Sequence, residues 1–594
     1  VPQQQVPGFL GKHSEARFEP PGPPPAAGSG AGEVDLVGMA RWCQNYLAHN
    51  PQPEHGWEPR FSLWGLHLPV FDPWPYCEKG GPVPDLGLVD PIVEGDTDSR
   101  MDYAYVYMRE MAGAGPEVAQ AEQEVRRRVR GYVHEDGLSW IRGPIAPQDP
   151  GTQRPWAVIW TTAKALATEA ELLRLSGDDS HRQLARRLFE GLRSLAVWDT
   201  GRAYYPGGAW RDGEWSGEGG NGGYMFVVEP LVRYWEASGG EEALDFARAY
   251  ADGMLANLPP DLGTGAVQPD GSFNSHLHCQ MHAVSGVAHL GAVTREPRYV
   301  EWARRVYEFV RQRGTDYGWF PEHLDHPDHV RHTEICLVAD MIFLAVWLGE
   351  AGYAEYFDQA ERYARNMLRY AQFFVTPEME SLYRQVHADA PEAEVERELE
   401  FLRQIQGAFV SSPTLNDWVD EGAHHHGTAG DPPLLLDLMG CCPPEGMRGL
   451  RTVWRHTVTA RPEGVYVNMA LPCRHAEAEV ATGPGWVTVT AGQEAVYFLR
   501  PPAWAPRAEV RLHHAGGEIT PEWRGDYVRT PRLRRGDKVS LVYPLVSFVQ
   551  EQEVQAGANS GRYRITWRGN DVVGIDPQGR HLPLFTARPL PPPP

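Results

Sequence analysis

A short punctuation that returns about every sixty residues constrains this chain more than any other feature. It occurs at Ala112-Gly113-Ala114-Gly115, Ser176-Gly177-Asp178-Asp179, Ser238-Gly239-Gly240, Thr294-Arg295-Glu296-Pro297 and Ala351-Gly352-Tyr353. Before each stands a largely apolar helical pattern, such as Trp160 to Leu175. After each comes a charged amphipathic one, such as His181 to Leu195, with apolar residues three and four apart. An apolar helix, a turn and a charged helix make an inner and outer pair of a helical toroid. Six inner helices are expected, near 98–111, 157–174, 222–236, 280–292, 336–349 and 446–458, which specifies an (α/α)6 barrel. The longer Gly- and aromatic-rich segments all lead into inner helices, so they gather at one mouth, where function usually resides.

Beyond about residue 462 the period changes to two, as in Trp486-Val487-Thr488-Val489-Thr490, with Gly- and Pro-rich turns between the runs. The fold class is therefore α+β, an (α/α)6 barrel followed by an antiparallel β-sandwich. The expected division is an extended Pro/Gly-rich arm at 1–34, a barrel at 35–460, a sandwich at 461–588 and a Pro-rich tail at 589–594. A charged helical insertion near 376–405 interrupts the barrel; it is a candidate for packing over the mouth or at the subunit contact of a homodimer.

A formal net charge of −23 argues against nucleic acid and anionic membranes as partners. No apolar run reaches membrane-spanning length, and Val1 to Leu10 does not resemble a secretory signal. Seven cysteines, two of them adjacent, suggest reduced thiols and a cytoplasmic setting rather than a disulfide framework.

Two fragments carry the strongest chemical signal: His332-Thr333-Glu334-Ile335-Cys336 and Met439-Gly440-Cys441-Cys442-Pro443-Pro444. Glu334, Cys336, Cys441 and Cys442 supply one oxygen and three sulfurs, a complete set for tetrahedral Zn2+. Two readings stand side by side: a closed structural site, or a metal-bound nucleophile. Two residues apart on a helix, Glu334 and Cys336 diverge; an extended lead-in, with the helix starting only after Cys336, brings them to one side. Inner-helix N-termini at the mouth also favour thiolates. The histidines at 323–332 and 424–426 read as solvated residues or sugar contacts, not metal ligands. Trp160 and Tyr224 are stacking candidates, although each taken singly reads more readily as scaffold.

The two fragments, Arg448, Leu499-Arg500-Pro501-Pro502-Ala503-Trp504-Ala505 and Arg534-Arg535-Gly536-Asp537 resemble the β-L-arabinofuranosidase family, glycoside hydrolase family 127 and its relatives. Thr97-Asp98-Ser99-Arg100 and His282-Ala283-Val284 extend the resemblance, which is weak outside these motifs. It implies a barrel with β-sandwich domains and zinc held by Glu334, Cys336, Cys441 and Cys442. It also implies Cys441 as nucleophile and Glu322 as acid/base, with neighbouring aromatic bulk raising the pKa of Glu322. His282, His276, Tyr224, Trp160 and Asp98 become substrate-binding candidates. The expected activity is retaining, exo-acting removal of terminal β-L-arabinofuranose or a related furanoside from a small oligosaccharide or glycoside. The alternatives are a non-catalytic carbohydrate-binding protein with structural zinc, and an epimerase or lyase on the same barrel. The chain departs from the family at Glu445, where Asn is usual, at Ile335 for Thr and at Met281 for Gly, and the Glu322-to-Glu334 spacing is short.

Overall fold

The apolar and amphipathic patterns become helices in the order the repeat requires. They are α1 (Leu36–His49), α2 (Ile92–Ala112), α3 (Pro116–Gly131), α4 (Ile159–Ser176), α5 (Asp179–Leu195), α6 (Val228–Ser238) and α7 (Glu241–Leu255). Then follow α8 (Leu277–Thr294), α9 (Pro297–Arg311), α10 (Ile335–Glu350), α11 (Tyr356–Tyr363), α12 (Pro377–Val386), α13 (Glu392–Gln404) and α14 (Cys442–Thr457). The structure is a computed structural model that describes residues 17–19, 34–61, 63–68, 70, 92–141, 155–216, 226–259, 266–325, 331–421 and 434–586.

Helices α2, α4, α6, α8, α10 and α14 touch in sequence, and α14 returns to α2, closing the inner ring. Each is covered outside by its partner, so an inner helix has no solvent face. Every residue from Ile159 to Leu173 of α4 is buried, as is every residue from Ile335 to Val346 of α10. The outer helices α3, α5, α7 and α9 bury one stripe and leave a charged face in water, whereas α11 is buried almost all round, its Asp358, Glu361 and Arg362 included. Local signals set their limits: Asp178 caps α5 by accepting from Ser180 N, and Pro116 and Pro297 open α3 and α9. The sixth outer position is filled from the start of the chain by α1, which packs on α14, α2 and α3.

The charged stretch near 376–405 forms α12 and α13, with Thr376 capping α12 and Arg384 and Arg403 both reaching Glu380. This pair lies against Leu66, His67 and Val70. Tyr383 donates to the carbonyl of His67 (3.3 Å), and the Glu398 carboxylate accepts from Val70 N (3.1 Å).

Period-two segments after α14 form a five-stranded and a six-stranded sheet. One pairing departs from the antiparallel expectation: Val465–Val467 runs parallel to Tyr497–Leu499. A parallel pair needs a crossover, and the chain between them supplies three strands of the other sheet. A third sheet pairs Arg17–Glu19 of the N-terminal arm with Leu545–Ser547. It meets the barrel at the π-helical turn Ala364–Leu368, where Asn366 donates to the carbonyl of Asn570 (2.9 Å) and accepts from Val572 N (2.8 Å). No helix among the described residues is long and apolar enough to cross a membrane.

Candidate functional site

Glu334 is the N-cap of α10, with extended backbone (φ −104°, ψ 129°), and Cys336 already lies in the first helical turn. The helix thus starts at Ile335, before Cys336 and not after it. Convergence survives because Glu334 itself is extended, so its side chain does not follow helical spacing. Cys441 caps α14 and Cys442 opens it. The segment at 411–413 joins the two lead-ins: Ser411 O accepts from Ile335 N (3.0 Å), Ser411 N donates to Asp437 O (2.9 Å), and Pro413 O accepts from Thr333 N (3.0 Å). Gly440 passes so close to Phe61 and Thr97 that a Cβ there would lie 3.0 Å from each.

The result is one cluster. Cys336 Sγ lies 3.4 Å from Cys442 Sγ, which lies 3.9 Å from Cys441 Sγ, and both Cys441 and Cys442 stand 3.8 Å from Glu334 Oε1. Tetrahedral zinc with Zn–S near 2.3 Å has S···S edges of about 3.8 Å, so donor types and spacing both fit this metal. The other carboxylate oxygen, Oε2, accepts from His276 Nε2 (2.7 Å), which fixes Oε1 toward the sulfurs. Burial opposes the charge on Glu334, but the imidazoles of His276 and His278 outweigh it and hold its pKa down to about 2. Hydrogen bonds from Cys336 and Cys442 push the Cys441 thiol well below its usual range, whereas burial pushes the other two up. Of the three, Cys441 alone is partly exposed.

Glu322 is buried nearby. Its Oε1 lies 3.8 Å from His276 Nε2, and its Oε2 lies 2.6 Å from His332 Nε2. Trp319 and Phe320 are fully buried beside it in sequence, as the aromatic run implied, but the carboxylate is held by histidine contacts.

Below the thiols lies a layer of buried charge that sequence reasoning missed. Asp340 on α10 receives His278 Nδ1 (2.6 Å), His282 Nδ1 (3.0 Å) and Arg448 Nη1 (2.9 Å). Glu445 is fully buried between Arg100 (2.9 Å) and Arg448 (3.2 Å) and accepts from Tyr103. Burial resists its charge, but Arg448 and Arg100 keep its pKa well below the usual carboxylate range. It is no free charge beside the cysteine pair. Lys164 pairs with Asp96 and sits 3.9 Å over Phe226; burial draws its pKa down to about 7. These residues scatter along five helices, so nothing in their sequence spacing announces a layer.

Of the substrate-binding candidates, His276 joins the cluster directly. His282 lies in the buried layer, 4.2 Å from the Phe226 ring. Trp160 is in the first turn of α4, against Gly208. Asp98 is placed elsewhere: it faces outward, bonded to Arg128 (3.3 Å) and Tyr132 of the outer wall. At about 100° per residue, Asp96 and Arg100 face inward while Asp98 and Asp102 turn away. Tyr224, like His424 to His426, lies outside the described residues.

No protein family and no curated protein matches the chain in sequence. Among solved structures it is similar to a GH127 β-L-arabinofuranosidase from Geobacillus stearothermophilus T6, with TM-score 0.55 and 15% identity over 80% of this chain and 76% of that one. It is also similar to a GH127 β-arabinofuranosidase, with TM-score 0.56 and 14% identity over 90% of this chain and 81% of that one. A third likeness is to a glycoside hydrolase, with TM-score 0.53 and 14% identity over 80% of this chain and 77% of that one. At these identities the likeness establishes the fold, an (α/α)6 barrel with a β-sandwich.

Proposed function

We propose that this chain is a retaining, exo-acting glycoside hydrolase that removes a terminal furanose, β-L-arabinofuranose or a close relative, with Cys441 as nucleophile and Glu322 as acid/base. The observation that carries the reading is the Glu334, Cys336, Cys441 and Cys442 cluster, which leaves Cys441 partly exposed and has Glu322 two contacts away through His276. A zinc ion in that set supplies the positive charge that keeps the thiols ionised at neutral pH.

In the first step the Cys441 thiolate attacks the anomeric carbon while Glu322 gives its proton to the departing oxygen. A C–S bond forms, the glycosidic C–O bond breaks, and a thioglycosyl enzyme results. In the second, Glu322 takes a proton from water, whose oxygen displaces the sulfur. Two inversions give net retention. His276 orients Glu334, and the layer headed by Asp340 and Glu445 gives the pocket a rigid polar floor.

The reading is tested with an aryl β-L-arabinofuranoside and full-length protein supplied with zinc. Cys441→Ser is expected to slow aryl release by about a thousandfold or more while the chain stays folded. NMR of the first product should show the retained anomer. Turnover at the wild-type rate in Cys441→Ser would sink the mechanism. A purely structural metal predicts instead that Cys441 resists iodoacetamide in the folded, zinc-loaded chain.

A further inference from the structure

Glu322 has two unequal oxygens. Oε1 is the one turned toward His276, and through it toward the metal-site carboxylate. Oε2 meets His332 Nε2 at 2.6 Å, and the far side of that ring is also held: Nδ1 lies 3.2 Å from Asp420 Oδ2. Asp420 is fixed in turn, its Oδ1 accepting from Arg331 Nη2 at 2.8 Å. Glu322, His332 and Asp420 are 4%, 1% and 0% exposed, so water does not compete for these bonds. The backbone locks the same geometry, because Glu322 N donates to His332 O (3.1 Å) and Leu277 N donates to Glu322 O (2.8 Å). Asp420 stands on a strand pair with Leu435, some ninety residues from His332 in sequence.

We infer that His332 and Asp420 form a positioning dyad for Glu322: Asp420 holds the imidazole, the imidazole holds Oε2, and Oε1 is thereby presented as the proton-carrying oxygen at the barrel mouth. Neither residue touches substrate; both act through Glu322. The order carboxylate, imidazole, reacting group repeats the logic by which a buried acid orients a histidine in hydrolases, here with a carboxyl group as the final member. The kinetic part of the inference rests on the glycosidase reading above.

Two aryl β-L-arabinofuranosides serve as probes, one with a dinitrophenol leaving group and one with unsubstituted phenol, on zinc-loaded full-length protein. His332→Gln and Asp420→Asn are expected to lower kcat on the phenol substrate by about tenfold or more, with little change in KM and about threefold or less on the dinitrophenol substrate. Because the dyad acts only through Glu322, adding His332→Gln to Glu322→Ala should cost nothing further. An equal loss on both substrates, or additive losses in the double variant, would overturn the inference and leave the residues a packing role. Should His332→Gln fail to fold, Asp420→Asn carries the same comparison from one bond further out. If the wild-type protein cleaves neither substrate, the glycosidase reading fails by itself, and proton NMR then decides the dyad. A far-downfield ring N–H signal, lost in His332→Gln and displaced in both Glu322→Gln and Asp420→Asn, supports it. A signal that is absent, or indifferent to those carboxylates, refutes it.

Discussion

His276 bridges two carboxylates with one ring, since its Nε2 holds Glu334 and faces Glu322 while its Nδ1 lies 2.7 Å from Cys279 Sγ. Removing an outer partner of a metal ligand typically weakens metal binding by about ten- to a hundredfold. His276→Ala should show that loss in a competition with a chromogenic chelator, and unchanged affinity would mean Glu334 needs no such support. Glu445 is a test of another kind. Replacing it with Gln leaves Arg100 and Arg448 short of a buried counter-charge, at a cost of about 3 kcal/mol. Urea unfolding reads this directly, and a change below about 1 kcal/mol would show that Asp96 and Asp340 alone suffice. In the sequence Glu445 stood out only as a departure beside a cysteine pair. Its partners, at positions 100, 103 and 448, become meaningful once the ring brings α2 and α14 together. Glu334 and the three cysteines were legible because their residue types have few other uses in such a set. Asp420 carries no such mark, so the His332 contact with it was invisible.

The helices were legible at the scale of elements because burial on every side and burial on one side leave different periodicities. What periodicity does not carry is how the ring is sealed. The seam between α1 and the chain after α13 depends on Gly407, whose φ of +94° suits glycine and whose absent Cβ would lie 1.9 Å from the carbonyl oxygen of Trp42. Gly407→Ala should therefore destabilise the fold by about 2 kcal/mol or more, seen as a lower thermal midpoint. An unaltered midpoint would mean that the seam yields at no cost. The start of α10 at Ile335, not after Cys336, is hidden from periodicity for a related reason. An N-cap belongs to the loop by its backbone and to the helix by its hydrogen bonds, and Glu334, with its side chain committed to the cluster, lacks the usual side-chain capping bond.

For the molecule as a whole, the buried charges set the response to acid. Burial raises the pKa of Glu229, but Arg448 and Arg233 outweigh it and bring it down to about 2, from an ordinary 4.5. A carboxyl group depressed on folding contributes stability above its unfolded pKa and loses it as pH falls toward the folded value. Asp98 and Asp102 act in the opposite sense. Burial lifts each to about 6 despite Arg128 and Arg126, so protonation relieves them as pH drops from 7 toward 5. Burial draws His278 from 6.5 down to about 4, and the stability lost there offsets that gain, so urea midpoints should hold between pH 7 and 5 and fall steeply from about 4.5 toward 2, and Glu229→Gln should flatten that fall. A loss as large above pH 5 as below it would contradict this assignment. The placement of the Glu334 and cysteine cluster has a further consequence for synthesis. Cys336 and Cys442 are neighbours in space but 106 residues apart in the chain, and α1, made before either, packs on the last inner helix. A ribosome that has finished five inner helices has produced half of that cluster, and an α1 that packs on α2 and α3 but still lacks its sixth inner helix. Completion of the cluster and ring closure are thus tied to one late moment of translation, and a truncated chain is betrayed both by an open seam and by a cluster that lacks Cys441 and Cys442.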